Sequence, residues 1–439
     1  MPSSAPQVSS ITRWLQRTNI FWFSFYTASV AFLLYTCIFS FRKTFTAGTF
    51  QGLEFAGLSY KSWLVIAQVV GYGLSKFIGI KIISELKAQS RSAGILIMSG
   101  IAVASWFFFA ITPAPYNIIF LFTNGMPLGM VWGMVFGYLE GRRMTEVLGA
   151  GLSVSFIFSA GLSKTVGGYL LRDWGVSEYW MPFVAGLLFG LPMLVFLYLL
   201  NQVPPPSPLD EQLRTKRQPM NAAERKHFTF SFLPGIILFV LAYMLFTIFR
   251  DVRDNFSAEV WKTLGYTDPK IFTSTEVPIS ILTLVVMGSL IVIKNNLRAL
   301  VLIHLIIILG MILLGVATYL FDHHLISAPL WMTLIGLGLY LGYIPFNSIF
   351  FDRLLAAFQY AGTVGFIMYV ADSFGYLGSV SVLLFKELGL AQLSWVEFFI
   401  QSGYVVSAAG TLLIGGSVFY FRKKHATVQN LAAAAQKRK

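Results

Sequence analysis

The sequence predicts an all-α membrane protein in which twelve transmembrane helices form two pseudo-symmetric bundles of six. Of the 439 residues, 56% are hydrophobic and only 12% are charged, whereas soluble domains average about 25% charged residues. Apolar runs of roughly 20 residues, the length that spans a bilayer as a helix, recur along the chain. One Pro-rich, charged segment divides these runs into two sets of six, and an internal repeat of this kind indicates two related halves.

The predicted spans follow one another with short connections. They cover approximately residues 20–42, 61–82, 93–112, 116–139, 149–171, 180–201, 231–250, 272–293, 298–320, 328–351, 361–385 and 398–421. The first run is too long for the apolar core of a signal peptide, so we expect it to be retained as a span. The sequence therefore predicts an N-terminal bundle over 1–201, a cytoplasmic linker over 202–230, a C-terminal bundle over 231–421 and a basic cytoplasmic tail over 422–439.

The net charge of +13 is explained by the topology that the basic residues predict. Most of the 32 Lys and Arg residues fall in the N-terminal segment, in alternate short connections, in the linker and in the tail. Cytoplasmic loops of membrane proteins are enriched in Lys and Arg, so both termini and the linker are predicted to be cytoplasmic, in a protein of the cell inner membrane. The charge sets orientation in the lipid bilayer, and it gives no reason to expect a nucleic-acid partner.

The sequence lacks the motifs of the common enzyme classes. Its five histidines do not form a His-x-x-x-His pair, and the single cysteine, Cys37, excludes an internal disulfide and a cysteine metal cluster. There is no Gly-x-Ser-x-Gly motif and no phosphate-binding Gly-Lys-Ser/Thr loop. We therefore expect neither an enzyme nor a cofactor or metal site, and we expect any driving energy to come from a gradient or an exchanged solute.

Two arginines close matching apolar runs, one in each half of the chain. Arg42 ends the first run and Arg250 ends the seventh. A charged side chain at membrane depth costs about 2.5–3.5 kcal/mol on insertion scales, so it usually faces a partner or a wet cavity. Because the guanidinium fork binds phosphate or carboxylate bidentately, we expect both arginines to bind one central anion. Tyr35, two helical turns before Arg42, is placed to donate its hydroxyl to the same anion.

Further ionisable residues lie within the apolar runs, and each of them admits a functional or a structural role. They are Lys76, Lys164, Glu276 and Asp372. A separate charged cluster, Asp251, Arg253 and Asp254, follows Arg250. We expect these three side chains to pair among themselves at the outer end of the seventh span.

Glycine recurs every four residues in the fourth predicted span, at positions 125, 129, 133 and 137. This spacing places small residues along one helix face, which lets two membrane helices approach closely. We interpret the pattern as helix packing rather than as a ligand site.

Several short blocks in both halves follow the pattern of one transporter family. They are Tyr35 with Arg42-Lys43, Tyr72-Gly73-Leu74-Ser75-Lys76-Phe77, Arg250 with Phe256-Ser257, Glu276, Gly362-Thr363, and Phe374-Gly375-Tyr376-Leu377-Gly378. With these blocks the chain resembles the major facilitator superfamily, and within it the organophosphate:phosphate antiporter branch of glycerol-3-phosphate and hexose-phosphate transporters. The resemblance implies the major facilitator fold, transport by alternating access, and a solute-binding role for Arg42, Arg250, Tyr35, Tyr72 and Lys76.

The chain also departs from the pattern of that branch. The fifth span of the branch carries a histidine that contributes to phosphate binding, and residues 153–164 contain none. Lys164 could supply the missing positive charge, and Glu276 would be a second supporting charge. Asp372 has no counterpart in the branch pattern.

The hypothesis that follows is a secondary transporter of a small organic anion, in particular a phosphorylated metabolite, in exchange for phosphate. The alternative is a proton-coupled transporter of another small solute, in which Glu276 or Asp372 takes up the proton. A third hypothesis is a membrane sensor of the same fold that moves no solute. In each case we expect a monomer whose partners are the lipid bilayer and the solute, with phosphate or a proton as the coupled species.

Overall fold

The structure is a computed structural model that describes residues 9–85, 88–142, 144–207, 210, 222–358, 364–389 and 392–436. Residues 208–209 and 211–221 of the predicted linker, the Gly362-Thr363 block and the last three residues of the predicted tail lie outside these ranges. The described residues are almost entirely helical. A two-stranded hairpin, β1 (Glu54–Phe55) and β2 (Leu58–Ser59), accompanies them.

Twelve helices within the described residues are 18 residues or longer. They are α2 (Ile20–Lys43), α3 (Tyr60–Glu85), α4 (Arg91–Ile111), α5 (Ile119–Phe136), α6 (Thr145–Arg172), α7 (Met181–Asn201), α9 (Leu233–Thr263), α10 (Lys270–Ile291), α11 (Asn296–Asp322), α12 (Ala328–Ser348), α14 (Val364–Gly389) and α15 (Trp395–Gln436). Three helices are shorter: α1 (Ser10–Arg17), α8 (Ala222–Ser231) and α13 (Phe350–Ala357). Turns of 3₁₀ helix occupy Thr44–Ala47, Ala88–Ser90 and Tyr116–Ile118.

The predicted all-α membrane fold is confirmed. Ten of the long helices are long and apolar enough to cross a membrane. The other two, α3 and α14, are 26 residues each and lie where the second and eleventh spans are predicted. The start of the predicted tail continues as part of α15.

The predicted end of the seventh span at Arg250 is wrong, because α9 continues to Thr263 and is 31 residues long. No Gly or Pro interrupts the sequence between Gly235 and Gly265, so nothing in the backbone chemistry stops the helix at the arginine. The helix ends just before Gly265. The φ of Gly265 is +83°, the left-handed conformation typical of a residue that follows a helix C-terminus. Arg250 therefore lies within a helix rather than at its end.

The chain divides into two compact units. Unit 1 comprises Met1–Gly48 with Ala67–Thr215, and unit 2 comprises Thr49–Ile66 with Lys216–Lys439. In unit 1, α2 packs against α6 and α7, and α4 packs against α5. In unit 2, α11 packs against α12 and α15, while α9 packs against α14 and α15. The predicted bundle boundaries at 201 and 231 stay a prediction.

The segment Thr49–Ile66 joins unit 2 through charged contacts. Ser59 and Ser62 donate their hydroxyls to the carboxylate of Glu387 on α14, at 3.2 and 2.8 Å. Lys61 forms an ion pair with Glu259 on α9, with 2.5 Å between Nζ and Oε1 and side chains that are 3% and 12% exposed. Because carboxylates of two helices hold it, this segment is an integral part of unit 2.

The glycine pattern of α5 serves helix packing, as predicted. A Cβ atom added at Gly125 would overlap the backbone carbonyl of Gln68 on α3, and one added at Gly129 would overlap the hydroxyl of Ser75 on the same helix. The two helices are therefore in contact at glycine positions, where small residues are required.

Gly125→Ala is expected to destabilise unit 1, because the new methyl group meets a backbone carbonyl that cannot rotate away. Overpacking of this kind costs about 1–3 kcal/mol. The check is the thermal unfolding midpoint of purified protein in detergent. Gly100→Ala on α4 is the matched control, since its Cβ would have no atom within 4 Å. Equal midpoints for the two variants would contradict the packing role of Gly125.

Candidate functional site

The candidate site of unit 1 is built around Arg42, at the last turn of α2. The residue is 8% exposed, and its Cζ lies 3.7 Å from the centroid of the Tyr72 ring. The Nζ of Lys76 lies 5.5 Å from the same centroid. Tyr72 and Lys76 are four residues apart on α3, so they share one helix face. The structure therefore brings three of the predicted binding residues together.

Buried amide side chains fix the end of α2 that carries Arg42. Gln68 donates its Nε2 to the Arg42 carbonyl at 2.9 Å and to Asn124 Oδ1 at 2.9 Å. The Phe41 carbonyl accepts from Asn124 Nδ2 at 3.2 Å and from the indole of Trp106. The last carbonyls of a helix lack partners within the helix, and here three neighbouring side chains supply them. The position of Arg42 is thereby set by the fold.

The guanidinium of Arg42 has an unsatisfied donor, Nε, among the residues that the structure describes. An arginine has five N–H donors, and a buried donor that makes no hydrogen bond costs about 1–3 kcal/mol. Within the part of the chain that the structure describes, the buried Nε of Arg42 makes no hydrogen bond, and no carboxylate forms an ion pair with the guanidinium. The face of the Tyr72 ring, 3.7 Å from Cζ, stabilises the cation.

The charge distribution of unit 1 favours an anion at this place. The helices α2, α3 and α6 carry basic residues away from the loops, with Lys43 and Lys164 each 2% exposed. Between Ile20 and Asn201 the sequence has acidic residues only at helix ends or between helices. They are Glu54, Glu85, Glu140, Glu146, Asp173 and Glu178. Basic residues thus outnumber acidic ones along the sequence of these spans, a composition that favours an anionic over a cationic ligand.

Tyr35 contributes to an aromatic cluster of unit 1. Its side chain is 4% exposed, and its ring lies 5.2 Å from that of Phe156 and 6.3 Å from that of Phe39, between centroids. The predicted donation of its hydroxyl to an anion stays a prediction, as does the supporting role of Lys164 on α6.

The environment of Arg250 in unit 2 differs from that of Arg42. Its Nη2 and Nε contact Oδ1 of Asp251 at 2.6 and 3.0 Å, and its Nη1 donates to the hydroxyl of Tyr343 on α12. The Cζ lies 4.5 Å from the centroid of the Tyr343 ring. Arg250 therefore has a counter-ion of its own, which the sequence analysis did not predict.

Asp372 belongs to a buried polar network in the same unit. It is 5% exposed and accepts a hydrogen bond of 2.5 Å from the Tyr243 hydroxyl. The rings of Tyr243 and Tyr343 are stacked with 5.4 Å between centroids, so the network links α9, α12 and α14. Through Tyr243 and Tyr343, the network connects Asp372 to Arg250.

Sequence reasoning missed Tyr243, although the sequence contains a signal for it. Tyr243 precedes Arg250 by seven residues, as Tyr35 precedes Arg42, and a phenylalanine stands directly before each arginine. The two halves thus share a Tyr-x₅-Phe-Arg repeat. The residue after it differs, because unit 1 has Lys43 where unit 2 has Asp251.

Glu276 forms a buried ion pair with Arg253. The Arg253 Nη1 and Glu276 Oε1 atoms are 2.6 Å apart, and the side chains are 3% and 7% exposed. The prediction that Asp251, Arg253 and Asp254 pair among themselves at an outer end is therefore wrong for the first two, which pair with Arg250 and Glu276. Because α9 continues past Arg250, successive residues point about 100° apart around the helix and meet different neighbours.

Comparisons with known proteins agree on the fold. A D-xylose–proton symporter matches with a TM-score of 0.58 and 17% identity, over 90% of this chain and 97% of that chain. A proton:xylose symporter of the major facilitator superfamily, bound to 6-bromo-6-deoxy-D-glucose, matches with a TM-score of 0.59 and 16% identity, over 90% of this chain and 95% of that chain. At such identities the likeness shows the fold alone, which is the predicted major facilitator fold.

Comparison by sequence identifies a family. No curated protein matches the chain. A family of unknown function, DUF5690, matches residues 44–424, a range that includes Tyr72, Lys76 and the whole Arg250 network and begins two residues after Arg42. Because this match covers most of the sequence, the protein belongs to the family of unknown function DUF5690.

Proposed function

We propose that the protein is a secondary transporter of a small organic anion that works by alternating access. The observation that carries the proposal is the buried guanidinium of Arg42, whose Nε makes no hydrogen bond within the described residues. The fold supports transport, since the two solved structures that it resembles are xylose–proton symporters. The basic residues of the unit 1 spans support an anion as the solute.

A phosphorylated metabolite is the class of solute that we propose. The planar fork of arginine matches two oxygens of a phosphate, which a lysine cannot do. In this proposal Arg42 holds the phosphate, Tyr72 and Lys76 flank it, and Tyr35 and Lys164 support it. Arg250 is a further solute-binding residue in this proposal. Exchange for inorganic phosphate is proposed on the resemblance to organophosphate:phosphate antiporters.

The experiment that tests the proposal is exchange in proteoliposomes. Vesicles loaded with phosphate receive labelled inorganic phosphate outside, and a panel of unlabelled compounds competes for uptake. We expect glycerol phosphate or hexose phosphates to reduce uptake, and the uncharged sugars D-xylose and glucose to leave it unchanged. Flux of labelled D-xylose that no phosphate compound reduces would overturn the proposal.

Proton-coupled transport of another solute is the second candidate, and the burial of Asp372 within α14, at 5% exposure, favours it. An ionisable side chain inside a membrane span is a candidate functional group by default. Glu276 suits this role less well, because it neutralises the buried Arg253. Collapse of the pH gradient separates the two candidates. We expect phosphate exchange to continue without the gradient, whereas uptake that is lost on collapse and lost in Asp372→Asn would favour proton coupling.

We also propose that the protein lies in the cell inner membrane as a monomer with both termini in the cytoplasm. The enrichment of Lys and Arg in alternate connections and in the terminal segments supports this orientation.

A further inference from the structure

We infer that Asp251 is a built-in counter-ion that competes with the solute anion for Arg250. The inference rests on the proposed function, in which Arg250 binds the solute. It assigns to Asp251 a role in setting the affinity of that contact.

Asp251 occupies the edge of the arginine that a solute anion would use. Its Oδ1 accepts from both Nη2 and Nε of Arg250, at 2.6 and 3.0 Å. These two donors form one of the planar edges through which a guanidinium binds a phosphate or carboxylate bidentately. The Nη1 of Arg250 donates to the Tyr343 hydroxyl. The Asp251 carboxylate therefore occupies the edge formed by Nε and Nη2.

The pair is held by a neighbouring helix. Side chains at adjacent positions of a helix do not normally face each other. The second oxygen of Asp251, Oδ2, accepts a hydrogen bond of 2.8 Å from the hydroxyl of Ser379 on α14. Asp251 and Ser379 are both 7% exposed, so the carboxylate is fixed between its own helix and α14 in a site that water scarcely reaches.

The comparison with unit 1 shows that this counter-ion is a property of one half only. The Tyr-x₅-Phe-Arg repeat is followed by Asp251 in unit 2 and by Lys43 in unit 1. Arg42 has no carboxylate partner within the described residues, whereas Arg250 has one at 2.6 Å. Among the described residues, one arginine of the repeat thus has no carboxylate partner, and the other has an internal one.

An internal counter-ion changes what happens when no solute is bound. Two uncompensated arginines would make the empty protein costly and would favour obligatory exchange. With Asp251 in place Arg250 stays neutralised, and an arriving anion must replace a carboxylate that is already in contact. The affinity for the solute falls, and its release becomes easier.

The test measures binding of inorganic phosphate to the full-length purified protein by titration calorimetry. The variants are Asp251→Asn, which removes the charge and keeps the shape, Ser379→Ala, Arg250→Gln, and Asp251→Asn combined with Arg250→Gln. Unfolding midpoints establish that each variant is folded. We expect Asp251→Asn to bind phosphate at least about tenfold more tightly than the unaltered protein, and Ser379→Ala to change affinity in the same direction by less. In the Arg250→Gln background, Asp251→Asn should have no effect.

Each other outcome overturns the inference. Unchanged, weaker or absent phosphate binding in Asp251→Asn would show that the carboxylate does not compete, and so would an equal gain of affinity without Arg250. If Asp251→Asn does not fold, an unchanged affinity in Ser379→Ala decides against the inference. A different outcome would reject the proposed transport function. Tighter binding without flux of any anion in proteoliposomes would retain the counter-ion and reject transport, whereas flux in the unaltered protein with no effect of Asp251→Asn would reject the counter-ion alone.

Discussion

Arg42→Lys is expected to lower the uptake of phosphate or a phosphorylated solute by at least about a hundredfold, although the charge is kept. The guanidinium stacks on Tyr72 with 3.7 Å between Cζ and the ring centroid, and it offers two parallel donors to an anion. A lysine ammonium is a point charge that reproduces neither contact. Loss of one partner of a buried charged contact costs about 2–5 kcal/mol. The free-energy equivalent of a hundredfold decrease in uptake lies within this range. The measurement is the initial rate of uptake into proteoliposomes over a range of solute concentrations.

Arg17→Lys is the matched control for this prediction, because Arg17 lies exposed at the end of α1. The same chemical change there should leave uptake unaltered. Transport by Arg42→Lys at the rate of the unaltered protein would show that the fork of the arginine is not needed. Charge alone would then be the property that matters at this position.

Arg253→Met is expected to destabilise the protein more than any other substitution considered above. The arginine and Glu276 are nearly inaccessible to solvent, and their ion pair of 2.6 Å joins α9 to α10. Arg253 Nη2 also donates to the carbonyl of Met332 on α12 at 3.1 Å. Removing one member of a buried pair leaves the other charge uncompensated, at a cost of about 3–5 kcal/mol. The check is the thermal unfolding midpoint in detergent.

The double variant Arg253→Met with Glu276→Leu provides the control. Replacing both members of a buried pair by apolar residues of similar size is often neutral, so this variant should recover most of the loss. Glu276→Gln alone should be destabilised in the same way as Arg253→Met. An unchanged midpoint in Glu276→Gln, together with loss of proton-driven uptake, would instead assign Glu276 a coupling role.

The parts of the fold and site that the sequence predicted depend on local spacing. The lengths of the apolar runs predicted the helices. Arg42 and Lys76 both lie against the Tyr72 ring, and the resemblance to the transporter family had implied that these three residues act together. The glycines of α5 likewise meet a neighbouring helix because their period matches that of an α-helix.

The parts that the sequence did not predict depend on partners that are distant along the chain. The sequence predicts that the seventh span ends at Arg250, because the run of hydrophobic residues stops there. The helix continues because the charged residues that follow have partners: Glu276 neutralises Arg253, and Ser379 donates a hydrogen bond to Asp251. No local pattern identifies these partners. Tyr243 is a different case, because the Tyr-x₅-Phe-Arg repeat was present in the sequence.

The one-sided charge of the unit 1 spans has an electrical consequence. Arg42, Lys43, Lys76 and Lys164 lie in its helices, and acidic residues between Ile20 and Asn201 are confined to helix ends and connections. A membrane voltage acts on buried charge by about 2.3 kcal/mol per elementary charge per 100 mV. Under the proposed function, a conformational change that moves these residues through the field would move charge, and a bound divalent anion would offset part of it. The valence of the solute thus decides how strongly voltage drives the loaded protein relative to the empty one.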